Sequence, residues 1–224
     1  MSFYHRRQLH DSFESRVYAE LEQRGFVVHD LTYHTHLERE TVDRLKRIRT
    51  PTALLVRTRA DRIAMHQTMP LVAKIEVKTS GYANGSFALD AFQLATHIIE
   101  AHTLGAQCLY ICFQRTVNYE FGFWASEIRD RIAGIYVPPY WHGFVREFPD
   151  WLLSAFPDAP VRWLTYETQG SNTPYVLMSP STVRSLGHWQ TLLCDWLGAH
   201  QAQSDQPQPP HAGQMRDAEP PVPP

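Results

Sequence analysis

Apolar residues recur at helical spacing at both ends of the chain and alternate with polar ones in between. In HDSFESRVYAELEQR, residues 10–24, Phe13, Val17 and Leu21 fall on one stripe. Asp11 or Ser12 offers an N-cap and Gly25 stops the pattern, which predicts an amphipathic helix running into the short strand FVVHDL. A second helix is predicted over 36–48 from Leu37, Val42, Leu45 and Ile48. Through the middle, TALLVRTRADRIAM reads as extended, LVAKIEVK alternates, FALDAFQLATHIIEAHTL has helical spacing up to Gly105, and AQCLYICF has the continuous apolar character of a buried strand. YEFGFWA, AGIYV, VRWLTYE and PYVLM follow as short strands, and from about Ser181 the residues Val183, Leu186, Trp189, Leu193 and Trp196 make one helical stripe. Residues 201–224 hold seven of the sixteen prolines and almost nothing to bury, so they read as a disordered Pro/Gln-rich tail. The sum is an α/β (α+β) chain with a mixed central sheet flanked by helices.

The alternating stretch carries chemistry. In a strand Leu71, Ala73, Ile75 and Val77 point to one face and Lys74, Glu76 and Lys78 to the other, giving one core face and one charged face. Gln67 to Pro70 is a turn signal that joins RADRIAM to LVAKIEVK as an antiparallel hairpin. A turn centred between Thr68 and Met69 sets Asp61 opposite Glu76. Directly opposed carboxylates lie ~4.5–5.5 Å apart at Cβ and repel. Such a pair persists if one carboxyl is protonated or if a hard divalent cation such as Mg²⁺ lies between them. Lys78 shares their face, in a chain with three lysines against eighteen arginines. A compact ammonium can shift its pKa and act on a water, which an always-charged guanidinium does less readily.

Composition narrows the classes. With 224 residues, 43% of them hydrophobic, the chain can bury a full core. No apolar run approaches the ~20 residues of a membrane span, and MSFYHRRQLHDSF lacks the apolar centre of a signal peptide, so the expectation is a cytoplasmic protein with no membrane partner. Cys108, Cys112 and Cys194 are odd in number and form no C-x-x-C pair, which favours buried thiols. All six tryptophans follow residue 120 and read as core more than as stacking platforms for bases. His34 and His36, with His66 or His97, lack a third zinc ligand at a recognisable spacing, and no P-loop, G-x-S-x-G or G-x-G-x-x-G occurs. The net charge of −2 hides a basic stretch in which Arg44, Lys46, Arg47, Arg49, Arg57, Arg59 and Arg62 surround the single acid Asp61. Alone it reads as a solvated face; beside a phosphate-processing site it reads as a nucleic-acid contact.

Asp61, then Glu76-Val77-Lys78 on an apolar strand, resembles the D…E-x-K signature of the PD-(D/E)XK, or restriction-endonuclease-like, nuclease superfamily. Glu14 on the first helix before Gly25-Phe26 is similar to the helical glutamate of its resolvase-like members, and Gln93 to the glutamine of its RecB-like members, although His97 stands where those carry tyrosine. Ala60 replaces the proline that often precedes the aspartate. The thirty-five residues between Gly25 and Asp61 exceed those of compact members, so the basic segment around 36–50 looks inserted. The resemblance covers residues 10–115, which makes 1–115 a restriction-endonuclease-like core and 116–200 an extension of the same domain. It implies a metal-dependent nuclease, endonuclease or exonuclease, acting most naturally on DNA. Asp61, Glu76 and the Val77 carbonyl would hold one or two Mg²⁺ ions, with Mn²⁺ able to substitute. Lys78 would position or deprotonate the attacking water, Glu14 would bind a second ion or a water, and Gln93 would orient Lys78 or the phosphate. Many members of the superfamily cut two strands as dimers, so the resemblance leaves a homodimer open as one assembly. The alternative is a catalytically silent nuclease-like fold that binds nucleic acid or protein.

Overall fold

The alternation of LVAKIEVK builds the middle strand of a five-stranded sheet. The computed structural model describes residues 3–31, 37–47, 56–82, 84–139, 150–165 and 173–204. Its elements are α1 (Phe3–Gln23), β1 (Phe26–Asp30), α2 (Arg39–Arg47), β2 (Arg62–His66), β3 (Val72–Ser80), β4 (Phe87–Asp90), α3 (Ala91–Leu104), β5 (Cys108–Gln114), β6 (Tyr119–Trp124), β7 (Gly134–Val137), α4 (Asp150–Ala155), β8 (Val161–Trp163), β9 (Tyr175–Met178), α5 (Pro180–Ser185) and α6 (Trp189–Ser204), with two short 3₁₀ turns between β6 and β7. The large sheet has the order β1-β2-β3-β5-β6 and a second has the order β4-β9-β7-β8. Within the first, β3 and β5 are parallel, joined through β4 and α3, and the other neighbours are antiparallel. The result is the mixed sheet flanked by helices that the patterning predicts.

Each face of the large sheet has its own core. Ala73, Ile75 and Val77, with Leu109 and Ile111, pack under Phe13, Val17 and Leu21 of α1 and Trp189 and Leu193 of α6. On the opposite face Cys108, Tyr110 and Cys112 join Phe121 and Phe123 beneath Phe92, Leu94, Ala95 and Ile98 of α3, in a cluster that continues into the inner face of the second sheet. Gly25 ends α1 with φ +85°, a conformation open to glycine without strain. Its carbonyl accepts from the Gln67 N–H at 2.9 Å, tying the first turn to the hairpin.

Several elements differ from the expectation. Helix α1 begins at Phe3, not at a cap on Asp11 or Ser12; its first turns are exposed and so show no apolar stripe. The stretch 87–104 divides, because Phe87–Asp90 pairs with β9 and Asp90 then caps α3 by accepting from the Gln93 N–H. The C-terminal stripe breaks at Leu186–His188 into two helices. Among the described residues of TALLVRTRADRIAM the strand takes in only the last four, as the start of β2 (Arg62–His66), and residues 52–55 lie outside the described residues. Helix α6 reaches Ser204, past the expected start of the tail; residues 205–224 are outside the described residues. Cys108 and Cys112 are buried, but Cys194 is exposed and accepts from Arg24 Nη1 at 2.9 Å. Trp163 is likewise exposed, whereas Trp189 is fully buried. No described helix is long and apolar enough to cross a membrane.

Strand β6 runs so close to the start of α6 that Gly122 has no room for a side chain. A Cβ there would lie 2.8 Å from Trp189 Cβ, 3.0 Å from Trp189 Cα and 3.2 Å from the Tyr110 carbonyl oxygen. Gly122→Ala is therefore expected to destabilise the fold by about 1–3 kcal/mol, lowering the melting temperature by roughly 2–4 °C per kcal/mol. Calorimetry that found no change would show that α6 does not press on β6 in this way.

Candidate active site

The β2–β3 register pairs Arg62 with Ile75 and Ile63 with Lys74, which sets Asp61 opposite Glu76 as the hairpin geometry predicts. The Asp61 backbone N–H donates to Glu76 Oε2 at 3.0 Å. Lys78 Nζ forms an ion pair with Glu76 Oε1 and lies 3.9 Å from Asp61 Oδ2. An ammonium thus sits between two carboxylates. The charged face of the strand is not uniformly open to solvent: Glu76 is 0% exposed, while the Lys78 and Asp61 side chains keep 30% and 26% exposure. The cause is β5, which pairs Tyr110 with Glu76 and Cys112 with Lys78 and continues their face under α3.

Burial and charge act against each other at this site. Burial pushes the Glu76 carboxyl up, Lys78 opposes it and Asp61 adds to it, leaving it at about 8. For Lys78, burial alone would lower the ammonium, but Glu76, Asp61 and Asp90 outweigh it and hold the group above its ordinary value. Lys78 is therefore a cation at neutral pH, suited to donating hydrogen bonds and positive charge more than to accepting a proton.

Asp61 and Glu76 present hard oxygen donors. The buried Glu76 Oε1 has its ion-pair contact with Lys78 and no hydrogen bond of regular geometry, and a pocket that already draws a cation between two carboxylates fits Mg²⁺ or Mn²⁺ carrying several waters. Val77 has its side chain buried in the α1 face, so only its backbone is available to such an ion. Among the described residues no group of three or more His, Cys, Asp or Glu side chains is arranged to hold a metal. His97 is buried and shares a 2.8 Å hydrogen bond through Nδ1 with Tyr110 Oη. Burial, with Lys74 and Lys78 adding, pushes its imidazole down to about 3. His34 and His36 lie outside the described residues.

The remaining residues sit around this centre. Glu14 accepts from Tyr18 Oη at 2.6 Å and lies 3.7 Å from Arg62 Nη2. Arg62 in turn pairs with Asp30 at 2.6 Å and donates to the Asp61 carbonyl at 3.1 Å, so Glu14 is linked to Asp61 through this arginine. The Gln93 side chain donates to the Arg59 carbonyl at 3.3 Å, which places it on the backbone leading into Asp61. Arg59 is exposed and Arg57 half-buried. Arg44 is exposed on a turn of α2 that also carries Arg39, Glu40 and Asp43, a surface of mixed sign. The side chains of Lys46 and Arg47, and Arg49 as a whole, lie outside the described residues. Sequence reasoning passed over Asp90, whose charge is felt at Lys78. Its D-x-x-Q spacing to Gln93 was the available signal, an N-cap hidden by the apolar residues before it.

Glu76 and His97 give opposing pH dependences. A Glu76 carboxyl at about 8 against an ordinary 4.5 means the native state holds the extra proton between those values, so stability falls as pH rises through that window. His97, at about 3 against 6.5, stabilises the fold above 6.5 and loses that contribution as pH falls. Above pH 6.5 Glu76 therefore acts alone, and the upward shift of Lys78 lies outside the window. In EDTA the protein is expected to lose stability from about pH 6.5 to 8, by at most ~1.4 kcal/mol per pH unit, and Glu76→Gln to flatten this slope. Melting curves with equal slopes for both proteins would contradict the assignment.

No known family matches the sequence, and no curated protein matches it. Among solved structures the chain is similar to Archaeoglobus fulgidus Hjc, a Holliday junction resolvase from an archaeal hyperthermophile, at 11% identity over 82% of this chain and 93% of that chain, with a TM-score of 0.39. A likeness of this depth carries no functional weight, and the chemistry rests on the geometry of the site.

Proposed function

We propose that this chain is a metal-dependent nuclease that hydrolyses phosphodiester bonds, with DNA as its substrate. The observation that carries this reading is the convergence of the Asp61 and Glu76 carboxylates with the Lys78 ammonium between them, one carboxylate wholly buried. The surrounding order of elements supports it: a helix bearing Glu14, a hairpin opposing Asp61 to Glu76, a helix bearing Gln93 and a buried parallel strand. This is the assembly that the PD-(D/E)XK resemblance implies.

In such a site Asp61, Glu76 and the Val77 carbonyl would hold Mg²⁺ or Mn²⁺. The bound ion supplies Lewis acidity, acidifying a water and offsetting charge on the phosphate. The Lys78 ammonium donates to a non-bridging phosphate oxygen or to the attacking water, and its charge counters what develops as the water oxygen bonds to phosphorus and the ester oxygen departs. Glu76 and Asp61 keep that ammonium charged and in place. Gln93, through the Arg59 carbonyl, fixes the backbone that presents Asp61. Arg59, exposed beside the site, meets the flanking phosphates.

Labelled duplex, single-stranded and four-way-junction DNA incubated with Mg²⁺, Mn²⁺ or EDTA tests the reading. Metal-dependent cutting is expected, reduced at least ~10²- to 10³-fold by Asp61→Ala or Lys78→Ala, a loss of the size seen when one group that stabilises transition-state charge is removed. Mg²⁺ at about 100 times its dissociation constant should also stabilise the wild type by ~2.7 kcal/mol, a shift absent in Glu76→Gln. Binding without cutting, and no melting shift, would leave a silent nucleic-acid-binding module. Arg59→Ala is expected to weaken binding across all sequences and to reduce the slope of log affinity against log salt by about 1; an unchanged slope would remove Arg59 from the interface.

A further inference from the structure

The second sheet has one face in the core and one outside it. Phe87, Leu89, Ile135, Val137, Val176 and Met178 are buried, so alternation assigns Asp90, Tyr175, Tyr136 and Arg162 to the outer face. The register sets these four in one row, with Asp90 opposite Tyr175, Tyr175 opposite Tyr136 and Tyr136 beside Arg162. The two tyrosine rings are stacked, 8° from parallel with centroids 5.3 Å apart, and the Arg162 guanidinium carbon lies 5.9 Å from the Tyr136 ring centre. Gly134 lets these groups close over the backbone: a Cβ there would stand 3.1 Å from the Pro160 carbonyl oxygen, 3.5 Å from Tyr136 Cε2 and 3.7 Å from Arg162 Nε.

Asp90, at one end of the row, is also the N-cap of α3, accepting from the N–H of Gln93, whose side chain in turn donates to the Arg59 carbonyl two residues before Asp61. The row therefore starts at the helix end that holds the backbone leading into Asp61 and runs across three strand spacings, roughly 14 Å, to an exposed arginine. We propose that the outer face of the second sheet, through Tyr175, Tyr136 and Arg162, binds unpaired nucleotides of a single strand whose scissile phosphate lies at Lys78. The path of the strand rests on the nuclease reading; the binding surface does not.

The chemistry selects unpaired bases. A base within a duplex has both faces covered by its neighbours and offers a protein its groove edge and phosphates, whereas an unpaired base offers a π-face to tyrosine or to a guanidinium plane. The row carries two aromatic rings and one cation, so its affinity comes from stacking more than from phosphate neutralisation. It is therefore insensitive to base sequence and only weakly dependent on salt.

The test uses the full chain in EDTA, which keeps any metal-dependent cutting silent, with fluorescein-labelled single-stranded DNA, the same sequence as duplex, and a strand containing 2-aminopurine, whose emission is quenched on stacking. Wild type is expected to prefer the single strand and to quench the probe. Tyr136→Leu and Tyr175→Leu should weaken single-strand binding on the order of 10- to 100-fold and abolish the quench, leaving duplex binding unchanged, while Tyr136→Phe and Tyr175→Phe retain both. If a leucine variant fails to fold, Arg162→Gln serves as the second probe, with a loss of about 5-fold expected. Single-strand affinity and quench equal across wild type, leucine and glutamine variants would overturn the proposal and leave the row as a sheet-stabilising pair or a protein contact. Tyrosine-dependent strand binding in a protein whose cutting is indifferent to Asp61→Ala would uphold the surface and sink the nuclease reading, so the two fail separately.

Discussion

A glutamate carboxyl with no access to water must be satisfied by the protein around it, and much of this fold is arranged about Glu76. Its two oxygens are met by the Asp61 backbone N–H and by the Lys78 ammonium. Removing the Lys78 ammonium would take away the charge that opposes burial and push the carboxyl further toward its protonated form. The peptide before Asp61 is accordingly strapped to α3. Thr96 gives its hydroxyl proton to the Phe92 carbonyl, so in the buried contact with Thr58, at 3.0 Å, Thr58 is the donor. Gln93 holds the next carbonyl, that of Arg59. Helix α3 thus fixes the backbone that leads into Asp61.

The same helix joins the two sheets. β4 leaves the β3–β5 crossover to found the second sheet, and Asp90 ends that strand and caps α3 in one residue. The Asp90 side chain accepts from an N–H of the first turn of α3, at the positive end of that helix, and its charge is felt at Lys78. At the far end of α3 Lys74 closes on Glu100 at 2.6 Å. Lys74 thereby ties β3 to the last turns of the helix, while Lys78 of the same strand pairs with Glu76 and faces Asp61.

What was legible in the sequence follows from how local each constraint is. The hairpin was legible because alternation and a turn signal together fix a register, and the register alone brings Asp61 to Glu76. The helix boundaries were less so: α1 gains its first turns without burying anything, and β4 sits inside a run whose apolar residues also fit helical spacing. The depth of Glu76 could not be read, since it depends on Tyr110, thirty-four positions later and brought alongside by a parallel crossover. The engagement of Arg62 was equally hidden, because its partners Glu14 and Asp30 come from α1 and β1. A count of basic residues treats Arg62 as phosphate-facing; the fold spends it on two acids.

The scarcity of lysine in this chain now has a physical reading at Lys78. The position demands a cation that reaches Glu76 Oε1 and stays within 3.9 Å of Asp61 Oδ2 while its own side chain is only 30% exposed. A guanidinium is planar and carries five donors in a fixed fork, so in a slot between two carboxylates from adjacent strands some of its N–H groups would be buried without acceptors. A tetrahedral ammonium directs three donors and can turn each to a different oxygen, two for the carboxylates and one outward to a ligand. The third donor is what separates a site that only neutralises its acids from one that can also hold a phosphate, and an arginine at this position would fill the slot without offering it.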